Sequence, residues 1–194
     1  MNNFYSSDLH LTHGNIIRYC ARPYYNSYEM DYDLTRLHNE TLSPEDTWFF
    51  LGDFCMNQVA IVNNLPRLNF KKMYWILGNH DKKNKVIRYV EQIGLTEKVV
   101  LVEDMVHVID GKEVFLTHRP INCSDTLPTI CGHVHEKWKL LEPGVQVKEF
   151  SRQENKELIK MTKHRVLNVG VDVFDFKPVS EEQVKLLLFG DDNG

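Results

Sequence analysis

Carboxylate, imidazole and amide side chains fall in five short clusters along the chain: Asp8-x-His10, Gly52-Asp53, Gly78-Asn79-His80-Asp81, His118 and Gly132-His133-x-His135. Asp8, Asp53 and Asn79 offer oxygen, and His10, His118, His133 and His135 offer nitrogen, with no thiolate among them. A mixed oxygen and nitrogen set of this kind suits manganese, iron(II), zinc or nickel better than a cysteine-rich structural zinc cage. Asp53 carries two oxygens and can bridge two ions. A pair of divalent ions about 3.5–4 Å apart can clamp a phosphate and acidify the water between them until it becomes a nucleophile. Any one cluster alone is unremarkable, since Gly-Asp is an ordinary turn and a lone histidine is usually a surface or core residue. The weight lies in their order and in the elements that must carry them.

Each cluster sits where the hydropathy pattern predicts the end of a strand. Strands are expected at residues 4–7, 47–51, 72–77, 99–102, 105–109, 113–117, 128–131 and 166–173, the 105–109 and 113–117 pair joined through the hairpin signal Asp110-Gly111. Helices are expected at 13–20, from Ser27 on the helical recurrence of Met30, Leu34 and Leu37, at 82–93, and after Ser180, where Gln183 completes a capping box. If the backbone stays extended past the first strand, Asp8 and His10 share one side and can grip one ion. Between the last histidine pair and the final strand, residues 136–165 are more polar and read as an insertion or flap, with a strand at 145–150 and a charged helix at 151–163. Residues 191–194 read as a frayed tail.

The 194 residues suit one α/β domain with a core large enough not to need a metal staple. A net charge of -4 gives no basic coat for wrapping nucleic acid, so a polyanion would have to meet a local patch. Cys20, Cys55, Cys123 and Cys131 lack paired spacing and read as small buried hydrophobes, which favours a reducing compartment. With no signal-like start and no membrane-length apolar run, the expectation is a cytoplasmic protein without a membrane partner. No association signal fixes an oligomeric state.

The ordered clusters resemble the calcineurin-like metallophosphoesterase superfamily, from Asp8 to His135 and on to the last strand. Ser7-Asp8-Leu9-His10-Leu11-Thr12-His13-Gly14-Asn15-Ile16 and Asn168-Val169-Gly170-Val171-Asp172 look like the starts and ends of its compact bacterial and phage members. The resemblance implies two mixed β-sheets packed face to face and flanked by helices, with the metal site at the strand ends. It assigns Asp8, His10, Asp53 and His135 to a first divalent ion and Asp53, Asn79, His118 and His133 to a second, manganese foremost, with iron, zinc or nickel as alternatives. His80 is expected to protonate the leaving oxygen, with Asp81 orienting its imidazole and keeping it cationic. Phe54-Cys55-Met56 departs from the polar residue that many relatives carry after Gly-Asp.

For the substrate, Arg119, Arg18 and Arg22 lie close in sequence to the site clusters and are candidates to fork phosphate oxygens, with His13 beside them. Lys82, Lys83, Lys85 and Arg88 can raise the local potential, and Tyr24, Tyr25 and Trp138 can stack on a base. The leading expectation is a phosphodiesterase acting on a nucleotide or cyclic nucleotide through a metal-bridging hydroxide. A DNA or RNA nuclease, a phosphomonoesterase or protein phosphatase, and a non-catalytic scaffold of the same fold are the alternatives; the scaffold predicts gaps in the ligand set, and none is present.

Overall fold

A computed structural model describes residues 1–151 and 154–190. Its first sheet has strands β1 (Asn3–Ser6), β2 (Thr47–Phe50), β3 (Lys72–Ile76) and β4 (Val99–Val102), all parallel, with the short β12 (Val179–Ser180) antiparallel at the edge beside β1. The second joins the hairpin β5 (Asp104–Ile109) and β6 (Lys112–Thr117) to β7 (Thr129–Cys131), β11 (Val166–Asn168) and β8 (Leu140–Leu141) in the order β5-β6-β7-β11-β8. Here β6, β7 and β11 are parallel, while β5 and β8 run antiparallel at the edges. Two mixed sheets are what the resemblance implied.

Strand alternation explains the layering. On β2, Trp48 and Phe50 face one way and Phe49 with Leu51 the other; on β3, Met73 and Trp75 oppose Tyr74 and Ile76. The first set packs under α1 (Gly14–Tyr19), α2 (Ser27–Thr41), α3 (Ala60–Asn64) and α4 (Lys83–Gln92) through Ile16, Met30, Leu34, Ile61, Val86 and Val90. The second set meets Ile109, Val114, Leu116, Ile130 and Leu167 of the other sheet, and α5 (Glu181–Phe189) adds Val184 and Leu188. With both faces covered, β2 and β3 read as continuous apolar runs. Asn26 caps α2 through bonds from Tyr28 N and Glu29 N, and Ser180 with Gln183 forms the expected capping box on α5.

Three expectations change. The last strand is shorter than 166–173, because the chain turns after Asn168 into a 3-10 turn at Val171–Val173. α3 and the following 3-10 turn Leu65–Arg67 carry no expected element. Residues 136–165 hold no α-helix among the described residues: β8 joins the second sheet, and β9 (Gln146–Ser151) with β10 (Lys156–Met161) forms a separate antiparallel hairpin in which Glu149 faces Leu158. Thr162 ties its base, donating to Glu142 O at 2.8 Å. Residues 152 and 153 of the expected helix, and the expected tail at 191–194, lie outside the described residues.

Candidate active site

The clusters meet at the carboxyl ends of β1, β2, β3, β6 and β7, where loops leave the parallel strands. Asp8 and His10 do not continue β1 as extended chain. Asp8 (φ 60°), His10 (φ 49°), Asp53 (φ 60°), His133 (φ 74°) and His135 (φ 51°) all adopt left-handed backbone. Each such non-glycine residue costs about 1–3 kcal/mol, a strain typical of functional loops that the surroundings over-determine. Glycines permit the crowding: a Cβ on Gly78 would lie 2.2 Å from Asp53 Oδ1, and one on Gly132 2.3 Å from Ser7 Oγ.

Two groups of donor atoms result. Asp8, His10 and His135 form one, and Asp53, His118 and His133 the other, with the ligating atoms within 4.8 Å of one another in each. Asp53 lies between them: its Oδ2 is 3.6 Å from His10 Nε2 and 3.5 Å from His118 Nε2. Asn79 Oδ1 is 3.1 Å from His118 Nε2. Asp8 Oδ1 and both ring nitrogens of His10 are buried without a hydrogen bond. Orphaned polar atoms at this depth carry a desolvation penalty that divalent ions would relieve, so the donor set fits the two-ion expectation. Burial pushes the His10 ring down to about 3 against the pull of Asp8 and Asp53, which leaves the ring neutral with one nitrogen free to offer a lone pair.

The surrounding contacts aim these side chains. His118 Nδ1 is 2.6 Å from Leu51 O, and His135 Nδ1 is 3.0 Å from Asp172 Oδ2, which leaves Nε2 of each ring for an ion. Asp8 Oδ2 accepts from Ser7 Oγ at 2.6 Å and His133 N at 2.8 Å, freeing Oδ1. Burial would raise Asp53, but the hydrogen bond and charge of His118, with His10, hold it below the usual carboxylate range. Burial likewise opposes the proton on His135, yet the Asp172 bond lifts the ring to about 10.

His80 lies beside this set, about one third exposed, with Nε2 3.9 Å from Asp53 Oδ2 and its ring 5.5 Å from that of His10. Asp81 does not orient it. The Asp81 carboxylate accepts from Asp53 N at 2.8 Å, Phe54 N at 3.2 Å, Gly78 N at 2.9 Å and Trp75 Nε1 at 3.0 Å, so it stitches the β2 and β3 loops together. With both oxygens engaged there, it is a positioning residue. His13 does reach the site, 5.5 Å from the His10 ring with a buried, unbonded Nδ1.

The arginines part company. Arg22 is buried, pairs with Asp172 at 2.7 Å and donates to Asp8 O at 2.7 Å and Leu9 O at 2.9 Å; it braces the first ligand loop and has no room for substrate. Arg18 is exposed and donates to Asn15 Oδ1 at 3.1 Å. Arg119 alone lines a cavity of about 450 Å³, with Asn79, His80, His133, Glu149, Phe150 and Ser151. Among the suggested stacking aromatics, Trp138 packs with Cys123, Cys131 and Val166, and Tyr24 packs against Phe176. Phe150, more than half exposed, holds the cavity position instead.

Sequence reasoning missed Glu149, which sits 3.0 Å from His133 Nε2 and pairs with Arg119. It belongs to no motif, and only its place on the partly buried face of β9, with Val147 and Ser151, signals a role. Cys20 packs against the first core, yet its thiol also lies with His135 and Asp172, their ligating atoms within 4.8 Å of one another.

A histidine and aspartate donor set at the strand ends of a two-sheet sandwich marks a metal-dependent phosphoesterase. Residues 5–192 match the model described as calcineurin-like phosphoesterase, and the chain belongs to that family. It is 29% identical over 188 residues to the uncharacterized protein MJ1445 of Methanocaldococcus jannaschii, covering 94% of this chain and 88% of that one. The crystal structure of AQ665 from Aquifex aeolicus, a protein of unknown function, superposes with a TM-score of 0.64 at 20% identity, over 96% of this chain and 98% of that one. Among the described residues, no helix is long and apolar enough to cross a membrane.

Proposed function

We propose that this chain is a binuclear phosphodiesterase that hydrolyses a nucleotide or cyclic nucleotide, with His80 as general acid. The observation that carries the reading is Asp53 Oδ2, within 3.6 Å of His10 Nε2 and 3.5 Å of His118 Nε2, between two donor groups. Asp8, His10, Asp53 and His135 would hold one ion, and Asp53, Asn79, His118 and His133 the other. When bound, the ions supply positive charge to the phosphate oxygens and acidify the attacking water.

The remaining steps belong to the chain itself. His80, partly exposed beside Asp53, is placed to hand a proton to the departing ester oxygen, which otherwise leaves as an alkoxide. Its backbone is held by its own N–H to Asp53 Oδ1 at 2.9 Å and by Gln58 Nε2 on its carbonyl at 2.7 Å, so the imidazole swings from a fixed point. A cavity of about 450 Å³ suits one nucleotide, and Phe150 presents a ring face for a base. The net charge of -4 adds no electrostatic reason to prefer a polymer. The chain acts in this reading as a single domain, with the β9–β10 hairpin covering the site.

The test is turnover with manganese across a panel of a phosphomonoester, a bis(aryl) phosphate, cyclic mononucleotides, a cyclic dinucleotide and a single-stranded oligonucleotide. Hydrolysis of diesters of nucleotide size, lost in Asp53→Ala, is expected. Unchanged turnover in Asp53→Ala and His80→Ala alike would overturn the reading.

A further inference from the structure

We propose that Glu149 is a specificity-determining residue, its carboxylate admitting monoanionic phosphodiesters and turning away dianionic phosphomonoesters. The proposal rests on the phosphoesterase reading of the same site. Glu149 is carried by the β9–β10 hairpin, outside every ligand cluster, yet its Oε1 meets Arg119 Nε at 2.7 Å and His133 Nε2 at 3.0 Å. Its Oε2 is buried without a hydrogen bond among the described residues. β9 packs on the 3-10 turn Pro120–Asn122 that follows Arg119, so hairpin and arginine are fixed against each other.

The consequence is a matter of charge. Among the described residues Arg119 is the one lysine or arginine lining the cavity, and Glu149 already neutralises it. The fork that would reward a second phosphate charge is therefore engaged, and an unsatisfied carboxylate oxygen stands beside it. A phosphomonoester loses its second proton near pH 6 and enters a neutral-pH reaction mostly as a dianion. A diester carries one charge and replaces the other charged oxygen with an ester arm. That extra charge, set close to the Glu149 carboxylate in the cavity wall, meets a repulsion stronger near a protein surface than in bulk water. Phe150, the next residue on the hairpin, offers the second arm an apolar face that a monoester cannot use.

Glu149→Gln keeps the shape and the oxygen that accepts from Arg119 while removing the charge. With manganese present, kcat/KM for bis(4-nitrophenyl) phosphate and for 4-nitrophenyl phosphate is measured in wild type and variant. The wild type is expected to prefer the diester. Glu149→Gln should shrink that preference at least 10-fold, chiefly through a lower KM for the monoester. Arg119→Gln, which leaves the Glu149 charge uncompensated, should widen it. If Glu149 only fastens the hairpin, both esters slow together and the ratio stays put, which overturns the proposal. So does a wild type that prefers the monoester. A wild type that hydrolyses neither ester removes the phosphoesterase reading itself, and this proposal with it.

Discussion

At the scale of single residues, the site separates side chains that would touch ions or substrate from those that aim them. Arg22 belongs to the second kind. Its buried pairing with Asp172 and its bonds to Asp8 O and Leu9 O mean that Arg22→Ala leaves two carbonyls unpaired and Asp172 with His135 as its remaining partner. The expected loss is about 3–5 kcal/mol, read from urea unfolding of the metal-free chain; unaltered stability with a raised KM would instead make it a substrate contact. His80 has a sharper signature. As a general acid it matters when the leaving group is a poor one, so His80→Ala should slow a ribose-leaving diester by about 10²–10⁴ and a nitrophenyl-leaving one much less. Equal losses on both would assign His80 a merely structural role. The ligand-type residues were legible because metal chemistry restricts their types and they cluster at short spacings. Asp81, Arg22 and Glu149 were not, because what they do depends on partners up to 150 positions away in sequence, as with Arg22 and Asp172.

Among the elements, strands buried on both faces were the most readable, since an apolar run bounded by turns and closing on a ligand residue has few other meanings. The β9–β10 hairpin was misread as partly helical because Lys156-Glu157-Leu158-Ile159-Lys160 is rich in residues that a helix also favours. Pairing Lys156–Met161 with Gln146–Ser151 overrides that propensity, so only tertiary structure decides it. The helix α2 carries a testable pH response through His38, far from the metal cluster. Burial, opposed by its bond to Asn69 O, pushes that ring down to about 4. An unfolded histidine titrates near 6.5, so the unfolded chain binds the extra proton between those values and stability falls as pH drops through that window. The His38 contribution to this loss amounts to about 2 kcal/mol between pH 7.5 and pH 5. Unfolding midpoints of wild type and His38→Gln at the two pH values should differ by that slope; parallel slopes would show that His38 titrates alike in the folded and unfolded chain.

For the molecule as a whole, the two five-stranded sheets and the apolar clusters on their faces arrange the loops, and a core of this size is expected to stand without metal. Removing metal with EDTA should leave the far-UV circular dichroism spectrum intact. Saturating manganese at about 100 times its dissociation constant should add about 2.7 kcal/mol for each ion bound, or roughly 5–10 °C in Tm per ion for a chain of this size. Collapse of the spectrum on chelation would make the metal a structural staple. The central claim is that two ions share Asp53, and a titration of metal-free protein with manganese tests it most directly, scored by hydrolysis of bis(4-nitrophenyl) phosphate. The account predicts activity that climbs to a plateau at two equivalents per chain and is absent from Asp53→Asn at any loading. A plateau at one equivalent, or an Asp53→Asn variant as active as wild type, would contradict it.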